Sequence, residues 1–192
     1  MVLGLGNPGL RYRNTRHNLG FRVVDHLAER LGLELARKPK ARFGAGKIGG
    51  ETIVLAKPRG YMNESGVAAE YFRDAVSCHP SSFLIILDDV ELPLGSLRLR
   101  WGGRDGGHKG LRSVLIALDS REVPRLRLGV GRGPDTEELP DYLLARFQPD
   151  EEPAVAVMVA AAVDCVMTVL ERGMAAAMNQ FNRAEPIEKV KS

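Results

Sequence analysis

His17 stands in Thr15-Arg16-His17-Asn18, just ahead of the first stretch with helical spacing. A neutral imidazole takes a proton from water near physiological pH, so this residue is a candidate general base. For an isolated histidine at a helix start, a bond to nearby backbone is the better explanation. Asp88 and Asp89 close the apolar run SFLIILDD (82–89). Carboxylates at strand ends in α/β sheets line the crevice where ligands bind, although turns and helix caps use them too. Asn7 and Asn63 lie in loops, where an amide offers two donors and one acceptor; Asn63 is also placed to cap a helix. GGRDGGHKGLRS (102–113) is a glycine-rich loop opening a helix. It could cradle phosphate through backbone N–H groups, but it lacks P-loop spacing. Taken together, these residues allow a histidine oriented by an aspartate to activate water against a carbonyl, with amides as oxyanion donors. There is no G-x-S-x-G elbow, neither Cys78 nor Cys165 sits in a nucleophile motif, and no histidine pair has zinc-ligand spacing.

Gly4-Leu5-Gly6-Asn7-Pro8-Gly9 is a literal G-x-G-x-x-G after an apolar start. A dinucleotide fingerprint requires the helix to begin at the glycine loop, with an acid about 20 residues further on. Here Asn7-Pro8-Gly9 signals a turn, LRYRNTRHN has no apolar periodicity, and Asp25 lies within a helix. The glycines are therefore read as shaping a turn that projects Asn7.

These residues need elements to hold them. The pattern predicts strands over 2–6, 42–49, 52–56, 82–89, 97–101 and 125–131. It predicts helices over 21–33, 64–76, 108–119 and 151–173, with a short one over 174–182. Interleaved strands and helices make an α/β domain, and the alternating strands 97–101 and 125–131 make its sheet mixed. The domain is expected to span 1–182, followed by a polar, disordered tail over 183–192.

With 192 residues, 44% hydrophobic and 27% charged, the chain has the composition of one soluble domain. Residues 1–20 lack the apolar core of a signal peptide. The apolar run 154–170 contains Asp164 and follows acids, which suits a packed helix better than a membrane span. Two cysteines give no disulfide framework, and a cytoplasmic location is the simplest expectation. Net charge is +3, but Arg98 to Arg132 holds nine basic residues against three acids, +6 locally, leaving −3 elsewhere. Such a segment suits a polyanion such as nucleic acid, or forms a solvated basic face.

Four blocks then stand out: GLGNPGLRYRNTRHNLGF (4–21), KPRGYMNESG (57–66), DDVELPLGSLRLRWGGRDGGHKGLRS (88–113) and RLRLGVGR (125–132). In order and spacing they resemble bacterial peptidyl-tRNA hydrolase, from residue 2 to about 182. The resemblance implies a single α/β domain with a mixed, twisted central β-sheet surrounded by helices. It implies a monomer, without membrane or obligatory protein partner, that uses no metal or cofactor. The family cleaves the ester between a peptide and the 3′-terminal ribose of tRNA, recycling tRNA from abandoned translation. By matching positions, His17 is the expected base, Asp88 its orienting partner and Asn7 an oxyanion donor. Asn63 is expected to position substrate or water, and Tyr12 and Met62 to wall the site. Arg98, Arg100 and Arg127 are expected to meet the tRNA body. The family commonly has asparagine in G-H-x-G where this chain has Lys109, which lacks an amide acceptor but can meet phosphate or a peptide carbonyl.

Overall fold

The computed structural model describes residues 1–133 and 136–182. The tail expected over 183–192 lies outside the described residues. Seven strands form one sheet in the order β2-β3-β4-β1-β5-β7-β6. They are β1 Val2–Gly4, β2 Ala36–Arg37, β3 Ala41–Ile48, β4 Glu51–Pro58, β5 Leu84–Asp89, β6 Leu97–Arg100 and β7 Arg125–Gly129. β1 runs parallel to β4 and β5, and β5 parallel to β7. β2 and β3 are antiparallel on one flank, and β6 on the other. The sheet is mixed, as the alternation in β6 and β7 predicted.

Six α-helices cover it among the described residues: α1 Leu19–Arg30, α2 Ser65–Val76, α3 Lys109–Ala117, α4 Leu139–Leu144, α5 Glu152–Arg172 and α6 Met174–Phe181. One apolar cluster joins Val23, Val24 and Leu27 of α1 and Met158, Val159 and Val166 of α5 to Leu55, Ile86 and Leu126. The opposite face packs Ala69 and Phe72 of α2 and Leu111 and Val114 of α3 on Leu3, Ile85 and Leu87. Burying each such side chain contributes roughly 1.5–3 kcal/mol. The apolar stretch expected to pack rather than span a membrane is α5, seven of whose side chains are buried.

Two details of the opening motif differ from the expected turn. A Cβ on Gly4 would lie 2.2 Å from the carbonyl oxygen of Gly20, so α1 and β1 touch backbone to backbone there. A Cβ on Gly6 would lie 2.7 Å from the Phe21 ring. These glycines admit α1 against the first strand; only Gly9, at φ 102°, supplies left-handed backbone in the turn. The same contact explains why α1 starts at Leu19, two residues before the predicted helix. Gly20 is a weak helix former held in place by packing.

Candidate active site

Four segments converge where the parallel strands end. Asn7 follows β1. Met62 and Asn63 sit in a 3₁₀ turn, Met62–Glu64, beyond β4. Asp88 is the fifth residue of β5. His17 lies in a second 3₁₀ turn, Arg16–Asn18, that leads into α1.

His17 Nδ1 is 2.9 Å from both carboxylate oxygens of Asp88. His108, the N-cap of α3, places Nε2 at 3.2 Å from Asp88 Oδ1. The Leu111 N–H donates to His108 Nδ1 at 3.1 Å. That bond assigns the His108 proton to Nε2, so His108 donates to Asp88. Asp88 thus accepts from two imidazoles whose rings lie 4.9 Å apart. It is 3% exposed. Burial alone would push its carboxyl up, but the two facing histidines and their bonds outweigh this and hold it well below the ordinary carboxylate range. An Nδ1–H donated to Asp88 leaves His17 Nε2 with its lone pair. Nε2 has no protein partner, and Arg16 Nε is the one buried, unpartnered side-chain polar atom among the described residues. His17 Nε2 therefore faces solvent.

Asn7 is buried and fixed from three directions. Its N–H donates to Asn18 Oδ1 at 2.7 Å, and its carbonyl accepts from Asn18 Nδ2 at 3.0 Å. The Met62 N–H donates to Asn7 Oδ1 at 2.8 Å. This last bond orients the amide, so that the Nδ2 group carries the unused donors. Met62 is buried, its Sδ 2.4 Å from where a Gly110 Cβ would stand, so α3 packs directly on the Met62 turn.

Arg16, unremarked in the sequence, anchors the turn from behind. Its guanidinium donates to Glu151 Oε2 at 2.7 Å and to the Arg146 carbonyl at 2.8 Å. It lies 4.1 Å from the Tyr142 ring centroid and 5.0 Å from that of Phe147. The Arg16 N–H donates to the Ala145 carbonyl at 3.1 Å. The residue next to His17 is thereby tied to α4 and the approach to α5.

The remaining expected site residues are placed as follows. Tyr12 is half-buried in the segment joining Asn7 to His17, and the Arg11 guanidinium lies 5.0 Å from its ring. Asn63 is exposed; the N-caps there are Tyr61 and Glu64, so Asn63 does not cap a helix. Lys109 is exposed at the first residue of α3. Arg98 lies opposite Arg127, and Arg100 opposite Arg125, in the β6–β7 ladder, so all four share one face. Arg100 is exposed with no carboxylate partner among the described residues. Arg98 donates to the Asn182 carbonyl at 3.2 Å, and Arg127 is ion-paired with Asp89.

Two features of the fold qualify the charge count of the basic segment. Arg125 does not face outward: it is buried and donates to the carbonyls of Gly103, Arg104, Arg121 and Val123. The glycine-rich loop is wrapped around that cation, and three of its N–H groups have internal partners. The Gly103 N–H goes to the Arg121 carbonyl, the Gly107 N–H to Asp105 Oδ1 and the His108 N–H to the Asp105 carbonyl. Arg112 and Arg132 are also paired, with Asp105 and Glu91. The segment's free charge is smaller than its +6 count.

A histidine–carboxylate pair with an open Nε2, beside an oriented amide, is the equipment of a hydrolase that activates water. The family model described as peptidyl-tRNA hydrolase matches residues 1–189. Peptidyl-tRNA hydrolase of Roseiflexus sp. (strain RS-1) is 44% identical over 191 residues, covering 98% of this chain and 88% of its own. That of Mycobacterium bovis (strain BCG / Pasteur 1173P2) is 42% identical over 184 residues, covering 95% and 96%. The crystal structure of peptidyl-tRNA hydrolase from Acinetobacter baumannii superposes with a TM-score of 0.91 at 33% identity, covering 97% of this chain and 95% of that one. The chain belongs to the peptidyl-tRNA hydrolase family.

Proposed function

We propose that this chain hydrolyses the ester joining a peptide to the 3′-terminal ribose of tRNA, with His17 as general base. Water bound at His17 Nε2 loses a proton to it while its oxygen attacks the ester carbonyl. The tetrahedral oxyanion takes a hydrogen bond from Asn7 Nδ2, a donor type worth on the order of 10²–10³ in rate. The carbon–oxygen bond to the ribose then breaks, and the protonated His17 returns its proton to the leaving oxygen. Asp88 holds the His17 tautomer and stabilises the imidazolium. Asn63 positions substrate or water, Tyr12 and Met62 wall the site, and Lys109 meets a phosphate or a peptide carbonyl. Arg98, Arg100 and Arg127 meet the tRNA body, with Arg100 contributing most because it has no ion-pair partner among the described residues. In this reading the enzyme works as a cytoplasmic monomer and needs no metal or cofactor, as the family resemblance implies.

The observation that carries the reading is the His17 Nδ1–Asp88 contact at 2.9 Å with Nε2 left open. The test is release of tRNA from N-acetyl-aminoacyl-tRNA by wild type and His17→Ala. Wild type should turn over. The variant should stay folded and be inactive; activity in the folded variant removes His17 as the base.

A further inference from the structure

The charge count along the sequence pointed to Arg98–Arg132, yet the densest group of unneutralised cations lies on the other flank of the sheet. Arg37 on β2, Lys38 and Lys40 in the following turn, and Arg42 on β3 are all exposed. Arg59, just past β4, closes the group by donating from Nη1 to the Lys38 carbonyl at 3.0 Å. None of the five is ion-paired among the described residues. The carboxylates beside the group are Glu64, whose Oε2 accepts from the Tyr61 N–H two residues past Arg59 at 3.1 Å, and Asp25 on α1, which is bound to Lys57.

The ladder makes this arrangement costly. Arg37 stands directly opposite Arg42, and Arg42 directly opposite Lys57, so three cations line up across three strands. Like charges in register across a sheet are destabilising, and only Lys57 is neutralised. A lysine on an edge strand is a common guard against aggregation, but guarding an edge requires no like-charge pairs in register. Arg42 donates only to a carbonyl, that of Leu35 at 3.4 Å, so a local rule broken without a neutralising carboxylate among the described residues points to an external ligand that supplies the missing negative charge.

The position narrows the ligand. β3 pairs Ala41 with Pro58, so the Lys38–Lys40 turn sits at the sheet end where His17 and Asp88 lie. Arg59 leads directly into the Met62 turn that holds Asn7. β3 and β6 are five strand spacings apart, about 24 Å at roughly 4.8 Å each, with the catalytic strands between them. Cations thus stand on both edges of the sheet: Arg98 and Arg127 are nearer the cleft end than Arg100, on the face opposite the one that carries Arg37 and Arg42, so an RNA meeting both groups crosses the end of the sheet.

Building on the proposed function, we propose that the β2–β3 turn, with Arg37, Lys38, Lys40, Arg42 and Arg59, is a second phosphate-backbone contact for the substrate's tRNA. It lies on the opposite flank of the cleft from the arginine strip of β6 and β7. Its test is equilibrium binding of deacylated tRNA over a range of salt, so it does not depend on hydrolysis. Removing one cation that neutralises a phosphate lowers the slope of log K against log salt by about 0.7–0.9. Lys38→Ala/Lys40→Ala changes only exposed turn residues, and its unfolding midpoint is compared with wild type to confirm the fold. The slope should fall by about 1.4–1.8 in this variant. An unchanged slope, with Arg100→Ala lowering it in parallel, overturns the proposal and leaves the patch a solvated edge. Weakened turnover only of substrates carrying acidic peptides, with the deacylated-tRNA slope unchanged, also overturns it and assigns the patch to the peptide.

Discussion

Asp88→Asn separates orientation from mere presence of a polar group at the centre of the site. The carboxylate accepts from His17 Nδ1 at 2.9 Å and from His108 Nε2 at 3.2 Å. An asparagine of the same shape has one acceptor oxygen and one NH₂ donor. At the Oδ1 position its oxygen faces both histidines, 2.9 Å from His17 Nδ1 and 3.2 Å from His108 Nε2, while its nitrogen takes the Oδ2 position, also 2.9 Å from His17 Nδ1. His108 cannot change tautomer without losing the Leu111 N–H bond that caps α3. The asparagine oxygen therefore stays with His108, and its NH₂ is directed at His17. That donor opposes the Nδ1–H and favours the tautomer with the proton on Nε2, which removes the lone pair proposed to activate water. A wrong-tautomer defect of this kind costs about 10⁴ in kcat in the serine-protease triad, which corresponds to about 5.4 kcal/mol of transition-state stabilisation. Substrate affinity should change little, because Asp88 is buried and touches no substrate. Single-turnover release of tRNA under saturating enzyme reads the chemical step directly. A loss below tenfold, with the fold intact, would refute the tautomer argument. The same variant carries an acid-stability signature. Asp88 is held below the ordinary carboxylate range, so its contribution is present above that range and lost as the pH falls below it. Asp88→Asn should therefore lose less stability than wild type between neutral pH and about pH 3, read as the shift in urea midpoint.

Two further outcomes concern the fold that supports the site. Arg16→Met keeps the apolar packing against Tyr142 and Phe147 but leaves Glu151 without its partner; breaking a buried pair costs about 3–5 kcal/mol. Glu151 keeps some solvent access, so the lower end applies, and the melting temperature should fall by roughly 6–12 °C; a fall under 2 °C would show that Arg16 does not anchor the turn. Burial pushes the Cys165 thiol up to about 12. Its neutral form therefore stabilises the fold fully below its unfolded pKa of about 9, and that stability is lost as the pH rises toward 12. Cys165→Ala should be less stable at pH 7 but show a shallower decline above pH 9 in a denaturant titration. An equal decline would place the alkaline sensitivity elsewhere.

What the sequence disclosed tracks how locally each feature is determined. The strands and long helices were legible because periodicity and length are local, and β3, β4, β5, α2 and α5 fall within about two residues of their predicted bounds. β2, with two residues, and α4, with six, are too short to show a period. His17, Asp88 and Asn7 were reached through strand-end placement and family blocks. His108 sat inside one of those blocks without an assigned role. The local signal was a histidine immediately before a helix, but its second bond goes to a residue 20 positions away. Arg16 carried no signal, because its partner Glu151 is 135 residues distant. Strand alternation puts Arg125 and Arg127 on one face, yet it cannot show that a loop folds its carbonyls around Arg125. Charge counted along the chain likewise ignores ion pairing. That is why it emphasised Arg98–Arg132 and passed over the turn between β2 and β3.

The polar network itself selects which atoms remain for chemistry. Asp88 spends both oxygens on two histidines. His108 spends Nε2 on Asp88 and Nδ1 on the Leu111 N–H. Asn18 spends its amide on both backbone groups of Asn7, and Met62 takes up Asn7 Oδ1. After these bonds, the central residues retain one unpartnered ring nitrogen, His17 Nε2, and one unpartnered amide donor group, Asn7 Nδ2. The proposed hydrolysis needs one acceptor to receive a proton from water and one donor to meet the oxyanion. A site built only to bind RNA has no use for a buried carboxylate that fixes a histidine tautomer. Burying it costs free energy, and that cost fits the proposed role of holding the far nitrogen of that ring open to water.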